Sequence, residues 1–351
     1  MRFRAEPQYH SGLQKRAYLA WVFVCLVWGT TYLGIRIALE TIPPLLMGGI
    51  RYVIAGVVLV LVLKLRGERM PGASGLPALV VLGILLLGLG NGGVVWAEQT
   101  VPSGLTAVLV AMSPFWMVGV DALTRHGEPI PRRRAAGLIV GFSGIVLLVW
   151  PEIHVGDSGR AFLGGVVAAQ LACFGWALGS TYSRRRGHTA ARDESVLVTA
   201  AFEMLFGGLS LLAAGIVHGE LKSLAFNVRT ASALAYLIVF GAIAGFTAYA
   251  YALKHLPIAT VSLYAYVNPV IAVALGTFVL NEPFNARLGI ASAIVLAGMA
   301  LVRHVEPEPL KASVSGPVVR DRAGGRTPGR AQHDRLRVQS ERAGNELADH
   351  K

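Results

Sequence analysis

The sequence predicts an all-α integral membrane protein with ten transmembrane helices, arranged as two inverted five-helix repeats. Three observations lead to this prediction. The chain of 351 residues is 54% hydrophobic and 15% charged, whereas a soluble domain carries about 25% charged residues. The apolar residues form long segments, each able to cross roughly 30 Å of hydrocarbon. Finally, the second half of the chain repeats a set of residues from the first half in the same order.

The ten predicted spans are joined by short linkers, so neighbouring helices should be antiparallel and in contact. Residues 17–150 form the first repeat and residues 160–304 the second. An arm, residues 1–16, precedes them. A basic tail, residues 305–351, follows, and its composition is too polar to bury a core, which predicts disorder. The spans cover residues 17–39, 45–64, 77–99, 102–123, 134–150, 161–183, 195–217, 230–253, 257–280 and 286–303.

The positive charges predict the orientation of the chain in the membrane. With the first residue inside, sixteen Lys and Arg residues fall in the inner segments and four in the outer loops, namely Arg160, Lys222, Arg229 and Arg287. Cytoplasmic loops carry such an excess, so both termini are expected to be cytoplasmic. The net charge of +12 does not indicate a nucleic-acid partner, because the basic residues lie where this rule alone would place them.

Matched residues in the two halves indicate the repeat. Cys25-Leu-Val-Trp28 in the first span corresponds to Cys173-Phe-Gly-Trp176 in the sixth. Two halves of five spans insert with opposite orientations, an architecture found in many secondary transporters. The alternative is chance similarity between apolar segments, and the ordered set of matches favours the repeat. The further matches are Val101-Pro102 with Leu256-Pro257, Ser113-Pro114 with Asn268-Pro269, Glu128 with Glu282, and Gly144 with Gly298.

Short motifs spread over residues 17–304 carry a family resemblance. They are Trp28-Gly-Thr-Thr-Tyr32, Arg51 with Ala55-Gly56, Gly90-Asn-Gly92 leading to Trp96-Ala-Glu98, Val101-Pro-Ser-Gly104, Glu128 followed by Gly141-Phe-Ser-Gly144, and Asn281-Glu-Pro283. In this order they resemble the EamA-like branch of the drug/metabolite transporter superfamily, and in particular its metabolite and amino-acid exporters.

The resemblance implies a ten-helix carrier of the bacterial inner membrane with a central cavity between its halves. The expected activity is export of an amino acid or a related metabolite, either coupled to protons or running downhill. The expected partners are therefore a small-molecule substrate, the lipid bilayer and, for a coupled carrier, protons. Neither a cofactor nor a metal is expected. Ten spans can enclose a complete cavity, so either a monomer or a homodimer fits.

Ionisable residues inside spans are candidates for coupling or gating, because burying a charge in the membrane is costly. We expect Glu98 to act as a titratable switch, with Arg51 or Arg36 binding a substrate carboxylate. The alternative for these residues is a structural ion pair near the outer interface. Glu203, in the seventh span, is a second candidate proton site, or else a neutral hydrogen-bonding group between helices.

Polar aromatic residues and helix-breaking residues indicate the substrate cavity. Trp28 and Trp176 lie about a dozen residues into their spans, too deep for the aromatic belt at the interface that is the alternative. Aromatic faces with a few polar groups suit a small solute, and helix breaks at matched positions of two repeats indicate a binding site. The predicted cavity residues are Trp28, Tyr32, Asn91, Trp96, Pro114, Trp176, Tyr264, Asn268 and Pro269.

Two other classes of membrane protein are alternatives to a carrier. An integral-membrane enzyme of lipid or isoprenoid chemistry needs clustered acids or a histidine pair at a membrane face, and the sequence contains no such motif. A passive channel or facilitator would share the spans and would differ in its transport kinetics. The two cysteines, Cys25 and Cys173, lie inside apolar runs and are expected to be buried thiols.

Overall fold

The computed structural model describes residues 9–123, 131–150, 156–187 and 195–303. Residues 1–8 of the predicted arm, the predicted acidic turn at Glu128 and the predicted tail from residue 304 lie outside these ranges. Within them, the regular secondary structure is entirely helical.

Ten long helices are numbered here α1 to α10, and a 3-10 helix, Glu220–Ser223, and a short α-helix, Ile258–Val261, lie between them in the described part of the chain. Each of the ten predicted spans overlaps one of them, although α1 begins well before the predicted residue 17. The helices are α1 (Tyr9–Ala38), α2 (Pro44–Leu65), α3 (Leu76–Ala97), α4 (Ser103–Ala122), α5 (Arg132–Val149), α6 (Gly156–Gly187), α7 (Val196–Val217), α8 (Val228–His255), α9 (Tyr264–Leu280) and α10 (Ala286–Arg303).

Seven of these helices are long and apolar enough to cross a membrane: α1 to α4 and α6 to α8. Two shorter apolar helices, α9 and most of α10, complete this set. A segment of about 20 apolar residues has no reason to exist in so many copies in a soluble core. The chain is therefore a membrane protein, as its sequence predicts.

Two helices, α3 and α8, each contain a π-helical segment, and the two segments occupy similar positions along their helices. In α3 it covers Ile84–Asn91, and in α8 it covers Leu237–Ala244. A π-helical turn is rare and is frequently found at functional sites. In α3 the side chain of Asn91, a predicted cavity residue, donates to the carbonyl oxygen of Leu86 in the same segment at 3.4 Å.

The helix carrying Pro114 is interrupted, whereas the helix carrying Pro269 is not. The α-helical pairing of α4 stops after Val110 and resumes at Ser113, so that Pro114 occupies the first turn of the second segment, where a missing N–H is tolerated. Pro269 lies inside α9, which continues through it. There the interruption comes earlier, between a short helix, Ile258–Val261, and the start of α9.

Two pairs of helices approach each other closely through glycines. In the pair α2 and α7, a Cβ atom on Gly56 would lie 2.7 Å from the backbone nitrogen of Leu205. In the pair α5 and α10, a Cβ atom on Gly298 would lie 2.5 Å from the backbone nitrogen of Gly141. Small residues let backbones approach in lipid, where dispersion rather than the hydrophobic effect drives helix packing. The remaining helices pack between these two pairs: α1 on α8 and α9, α6 on α3 and α4, and α4 on α9.

Candidate functional site

Four aromatic rings meet between α1, α8 and α9. The ring of Trp28 lies 5.3 Å from Phe246, 5.1 Å from Tyr249 and 4.9 Å from Tyr264, between ring centroids. The rings of Tyr249 and Tyr264 are 5.9 Å apart and perpendicular. All four side chains are half-buried. These four residues, called the aromatic cluster below, offer an apolar face with two phenolic hydroxyl groups, which suits the binding of a small planar or amphipathic solute.

Two of the three tryptophans predicted to line the cavity, Trp28 and Trp176, pack against a glycine of the other half of the chain. A Cβ atom on Gly245 would lie 2.6 Å from Nε1 of Trp28, and one on Gly90 would lie 2.5 Å from Nε1 of Trp176. Both glycines lie at the C-terminal end of a π-helical segment. A larger residue at either position would push the indole ring away, so glycine is required at both.

A group of charged residues lies towards the end of the molecule at which α2 and α4 begin. The side chain of Glu98 is fully buried, and neither of its carboxylate oxygens has a hydrogen-bond partner among the described residues. Arg36, Arg51 and Glu282 are the charged side chains that interact with it electrostatically. Arg36 donates to the backbone carbonyl of Glu98 rather than to its carboxylate. A buried carboxylate without partners is costly when it is ionised.

Arg51 is also buried without full pairing. Its side chain is 4% exposed, and its Nε atom has no hydrogen-bond partner in the described ranges. The guanidinium carbon lies 4.8 Å from the ring centroid of Tyr52, close enough for a cation–π contact. Arg51, Arg36 and Glu98, called the charged group below, therefore combine two cations and one carboxyl without a direct ion pair between Glu98 and either arginine.

The aromatic cluster and the charged group meet at a single turn of α8. The carbonyl oxygen of Gly241 accepts a hydrogen bond from Nε1 of Trp28 at 3.1 Å. On its other side, a Cβ atom on Gly241 would lie 3.0 Å from Nη2 of Arg51 and 3.1 Å from the methyl carbon of Thr31. This turn belongs to the π-helical segment of α8, so the altered backbone lies where the two sets of residues converge.

Other predicted site residues are held by the protein itself. The side-chain amide nitrogen of Asn268, in the orientation that satisfies its neighbours, donates to the carbonyl oxygens of Tyr264 and Cys25, each at 3.1 Å. Asn268 thus joins α9 to α1 beneath the aromatic cluster. The side chain of Tyr32 is 9% exposed and interacts electrostatically with Glu98. Cys25 and Cys173 are buried free thiols, as predicted.

Trp96 and Glu203 lie away from the aromatic cluster. The ring of Trp96 is 5.5 Å from the ring of His218, at the end of α7. Glu203 is half-buried on α7, and its backbone carbonyl packs against Gly83, where a Cβ atom would lie 2.7 Å from that oxygen. The cavity role of Trp96 and the proton-site role of Glu203 therefore remain predictions from the sequence.

Sequence reasoning missed three residues of this site: Gly241, Phe246 and Tyr249. Gly241 holds the fifth position of its π-helical segment, as Gly88 does in α3, but only the structure reveals where these segments begin. Phe246 and Tyr249 are three residues apart and so share a helix face, but that spacing does not reveal which helix they face. No group of three or more His, Cys, Asp or Glu side chains able to hold a metal occurs in the part of the chain described.

Comparison with known proteins gives a consistent result. The profile of the EamA-like transporter family matches the chain twice, over residues 15–150 and 163–303. The inner membrane transporter YedA of Escherichia coli (strain K12) is 34% identical over 281 residues, covering 79% of this chain and 87% of YedA. The transporter YvbV of Bacillus subtilis (strain 168) is 25% identical over 287 residues, covering 82% of this chain and 91% of YvbV.

Among solved structures, a crystal structure aligns with a TM-score of 0.56 at 20% identity, covering 82% of this chain and 97% of that one. That likeness supports the fold alone. The two profile matches and the identity to YedA establish the family, and the sequence motifs had indicated the same one. The chain belongs to the EamA-like transporter family.

Proposed function

We propose that the protein is a secondary transporter that exports a small metabolite, an amino acid or a related compound, across the inner membrane by alternating access. The solute binds where the aromatic cluster meets the charged group, with Gly241 between them. An apolar or planar part stacks on the rings, while Glu98 and Arg51 receive groups of opposite charge. Transport draws support from the family, and the inner-membrane location from the name of YedA and from the bias of positive charge. The export direction rests on the resemblance of the sequence motifs to metabolite exporters.

We also propose that the chain forms ten spans in two inverted five-helix repeats. Two separate matches to one family profile support this arrangement. The helix packing supports it as well. If every helix is replaced by the helix five places away in the chain, the same helix–helix contacts are found. The contact of α1 with α9 then corresponds to that of α6 with α4, and the contact of α1 with α8 to that of α6 with α3. The pairs α2 with α7 and α5 with α10 correspond to themselves.

The reciprocal packing of the two tryptophans is the observation that carries the proposal. Trp28 of the first half contacts Gly245 of the second, and Trp176 of the second half contacts Gly90 of the first. A rocking motion of one half against the other would change both contacts together. A site at such an interface is exposed alternately to the two sides of the membrane, which is how transporters with internal repeats work.

Proton coupling is a further part of the proposal. Glu98 is fully buried and unpartnered, so binding a proton or an ammonium group removes the cost of its charge. Exchange of the two at Glu98 would couple efflux of a cationic or zwitterionic solute to proton entry. A single chain contains both halves, so the site needs no second copy, and a homodimer is compatible with it.

The test compares metabolites secreted by cells that overproduce the protein or its Trp28→Phe variant. The matched control is Leu26→Ala on the same helix, where the side chain is 53% exposed. We expect one metabolite class to accumulate outside with the parent protein and the control, and to fall with Trp28→Phe. Equal secretion by all three at equal membrane levels would refute the site. Counterflow in proteoliposomes then separates a carrier from a passive channel.

A further inference from the structure

Two carboxylates of the second half bind helix N-termini of the first half at the same end of the molecule. Glu282, in the linker between α9 and α10, accepts from the backbone nitrogens of Ser103 at 2.7 Å and Gly104 at 3.1 Å. Glu220, just after α7, accepts from the backbone nitrogens of Leu45 and Leu46 at 3.3 and 2.9 Å. Both are charge-assisted bonds, strengthened by the positive end of the helix dipole.

The surroundings of the two carboxylates differ. Glu220 is 6% exposed and lies over the close-packed pair α2 and α7, where a Cβ atom on Gly49 would lie 2.8 Å from the backbone nitrogen of Leu212. Beside Glu282, α4 and α9 approach as closely, because a Cβ atom on Gly104 would lie 2.8 Å from the Cα atom of Val273. The difference is a cavity of about 330 Å³, which is lined by Glu282 together with Pro102, Gly104 and Thr277. The carboxylate of Glu282 packs on Gly276 of α9 and borders this cavity, which is the space into which it can move.

Glu282 also adjoins the proposed binding site. It is one of the charged side chains that interact electrostatically with Glu98. The helix that it holds, α4, packs against α9, which carries Tyr264 and Asn268. Release of the N-terminus of α4 would therefore loosen the contact between the halves directly above the charged group.

We propose that Glu282 is a gating residue. It closes the end of the molecule at which α2 and α4 begin, by holding the N-terminus of α4, and it releases that N-terminus when the cavity opens to that end. Glu220, with the same chemistry, is a permanent anchor that stays bound throughout the cycle. The inference rests on the proposed alternating access, and it adds the residue that controls one of its two openings.

The experiment measures access to a cysteine placed between the halves. The native cysteines are replaced in a Cys25→Ala, Cys173→Ala background, and Thr31→Cys is the reporter. Thr31 is 8% exposed and faces Gly241, so it becomes reachable only when the halves separate. Sealed right-side-out and inside-out vesicles are each treated with a membrane-impermeant maleimide, and the labelling rate is compared between variants.

Glu282→Gln should raise the labelling rate from the outside about ten-fold, because the amide nitrogen cannot accept from Gly104 and the charge on the helix end is lost. The matched variant, Glu220→Gln, should leave the rate unchanged. Glu282→Asp keeps the negative charge on a side chain that is one methylene shorter. Its labelling rate should therefore lie between those of the parent and Glu282→Gln. If Glu282→Gln does not fold, the Asp variant alone decides the question.

No rise on either side of the membrane in folded Glu282→Gln or Glu282→Asp protein, or an equal rise with Glu220→Gln, would overturn the gate. Labelling requires no substrate, so this outcome is independent of whether a secreted metabolite is found. A protein that exports a metabolite and shows unchanged labelling would keep the proposed function and lose the gate.

Discussion

The two tryptophan sites share one backbone arrangement and differ in their side chains. Trp28 and Trp176 each pack on a glycine at the end of a π-helical segment in the opposite half. Trp28 is then surrounded by three aromatic rings and donates to a backbone carbonyl. Trp176 packs instead against a mainly aliphatic cluster that includes Val94, Ala172 and one aromatic residue, Tyr32. The backbone scaffold is thus common to both halves, while only the first-half tryptophan has the surroundings of a binding site.

The glycines at the two sites should be equally indispensable. Gly245→Val and Gly90→Val both place a side chain within the indole ring of the facing tryptophan. Overpacking costs about 1–3 kcal/mol per site when side chains can adjust, and here the rigid indole ring that must move is itself held between helices. We expect both variants to lose folded protein, as measured by thermal unfolding in detergent. Normal stability in one of them alone would show that the two sites are not built alike.

The tryptophans themselves should differ in their importance for transport. Trp28→Phe loses the hydrogen bond to Gly241 and alters three ring contacts, so transport should fall about 30-fold. Trp176→Phe keeps an aromatic ring packed on a mainly aliphatic cluster and should retain most of the activity. Initial rates in proteoliposomes, at equal protein, measure both. Equal losses would mean that the two tryptophans bind the solute together.

Glu98 of the first half and Glu203 of the second half should also differ in their importance for transport, but less than the two tryptophans do. Glu98 is fully buried within the charged group, whereas Glu203 is half-buried on α7. Glu98→Gln should abolish the stimulation of transport by an imposed pH gradient and lower the rate about ten-fold, because a charge-assisted contact is lost. Glu203→Gln should leave the gradient response intact. Loss of the response in Glu203→Gln only would move the proton site to α7.

The residues before the two matched prolines should show the smallest difference. Asn268 joins α9 to α1 by two hydrogen bonds, so Asn268→Ala should lower stability by about 1–3 kcal/mol. Ser113 donates to the carbonyl oxygen of Val110 within its own helix at 2.6 Å and to the sulfur of Cys173 on α6 at 3.4 Å. Because a thiol is a weak acceptor, Ser113→Ala should cost only about 0.5–1 kcal/mol. Thermal unfolding of the two variants side by side tests this order. A larger loss in Ser113→Ala would reverse the assignment of Asn268 as the link between helices.

Several elements could be predicted from the sequence, because hydropathy and residue type are local properties. All ten predicted spans overlap helices, and the helix carrying Pro114 is interrupted directly in front of it. The matched glycines Gly144 and Gly298 have a physical explanation, because α5 and α10 pack closely where they occur. Trp28 and Tyr264 were predicted to share a cavity, and their rings are in contact. Nothing local indicated that Trp96 lies against His218.

The sequence by itself determined that the chain is helical, that it enters a membrane and that it belongs to one family of transporters. Long apolar segments and ordered motifs are sufficient for those conclusions. Only the tertiary structure decided which helices meet: that α8 brings Phe246 and Tyr249 to Trp28, and that Glu282 reaches the N-terminus of α4. Periodicity indicates which face of a helix is apolar, but in lipid that face has no preferred partner. The partners are chosen by close packing at glycines and by hydrogen bonds between residues far apart in the chain.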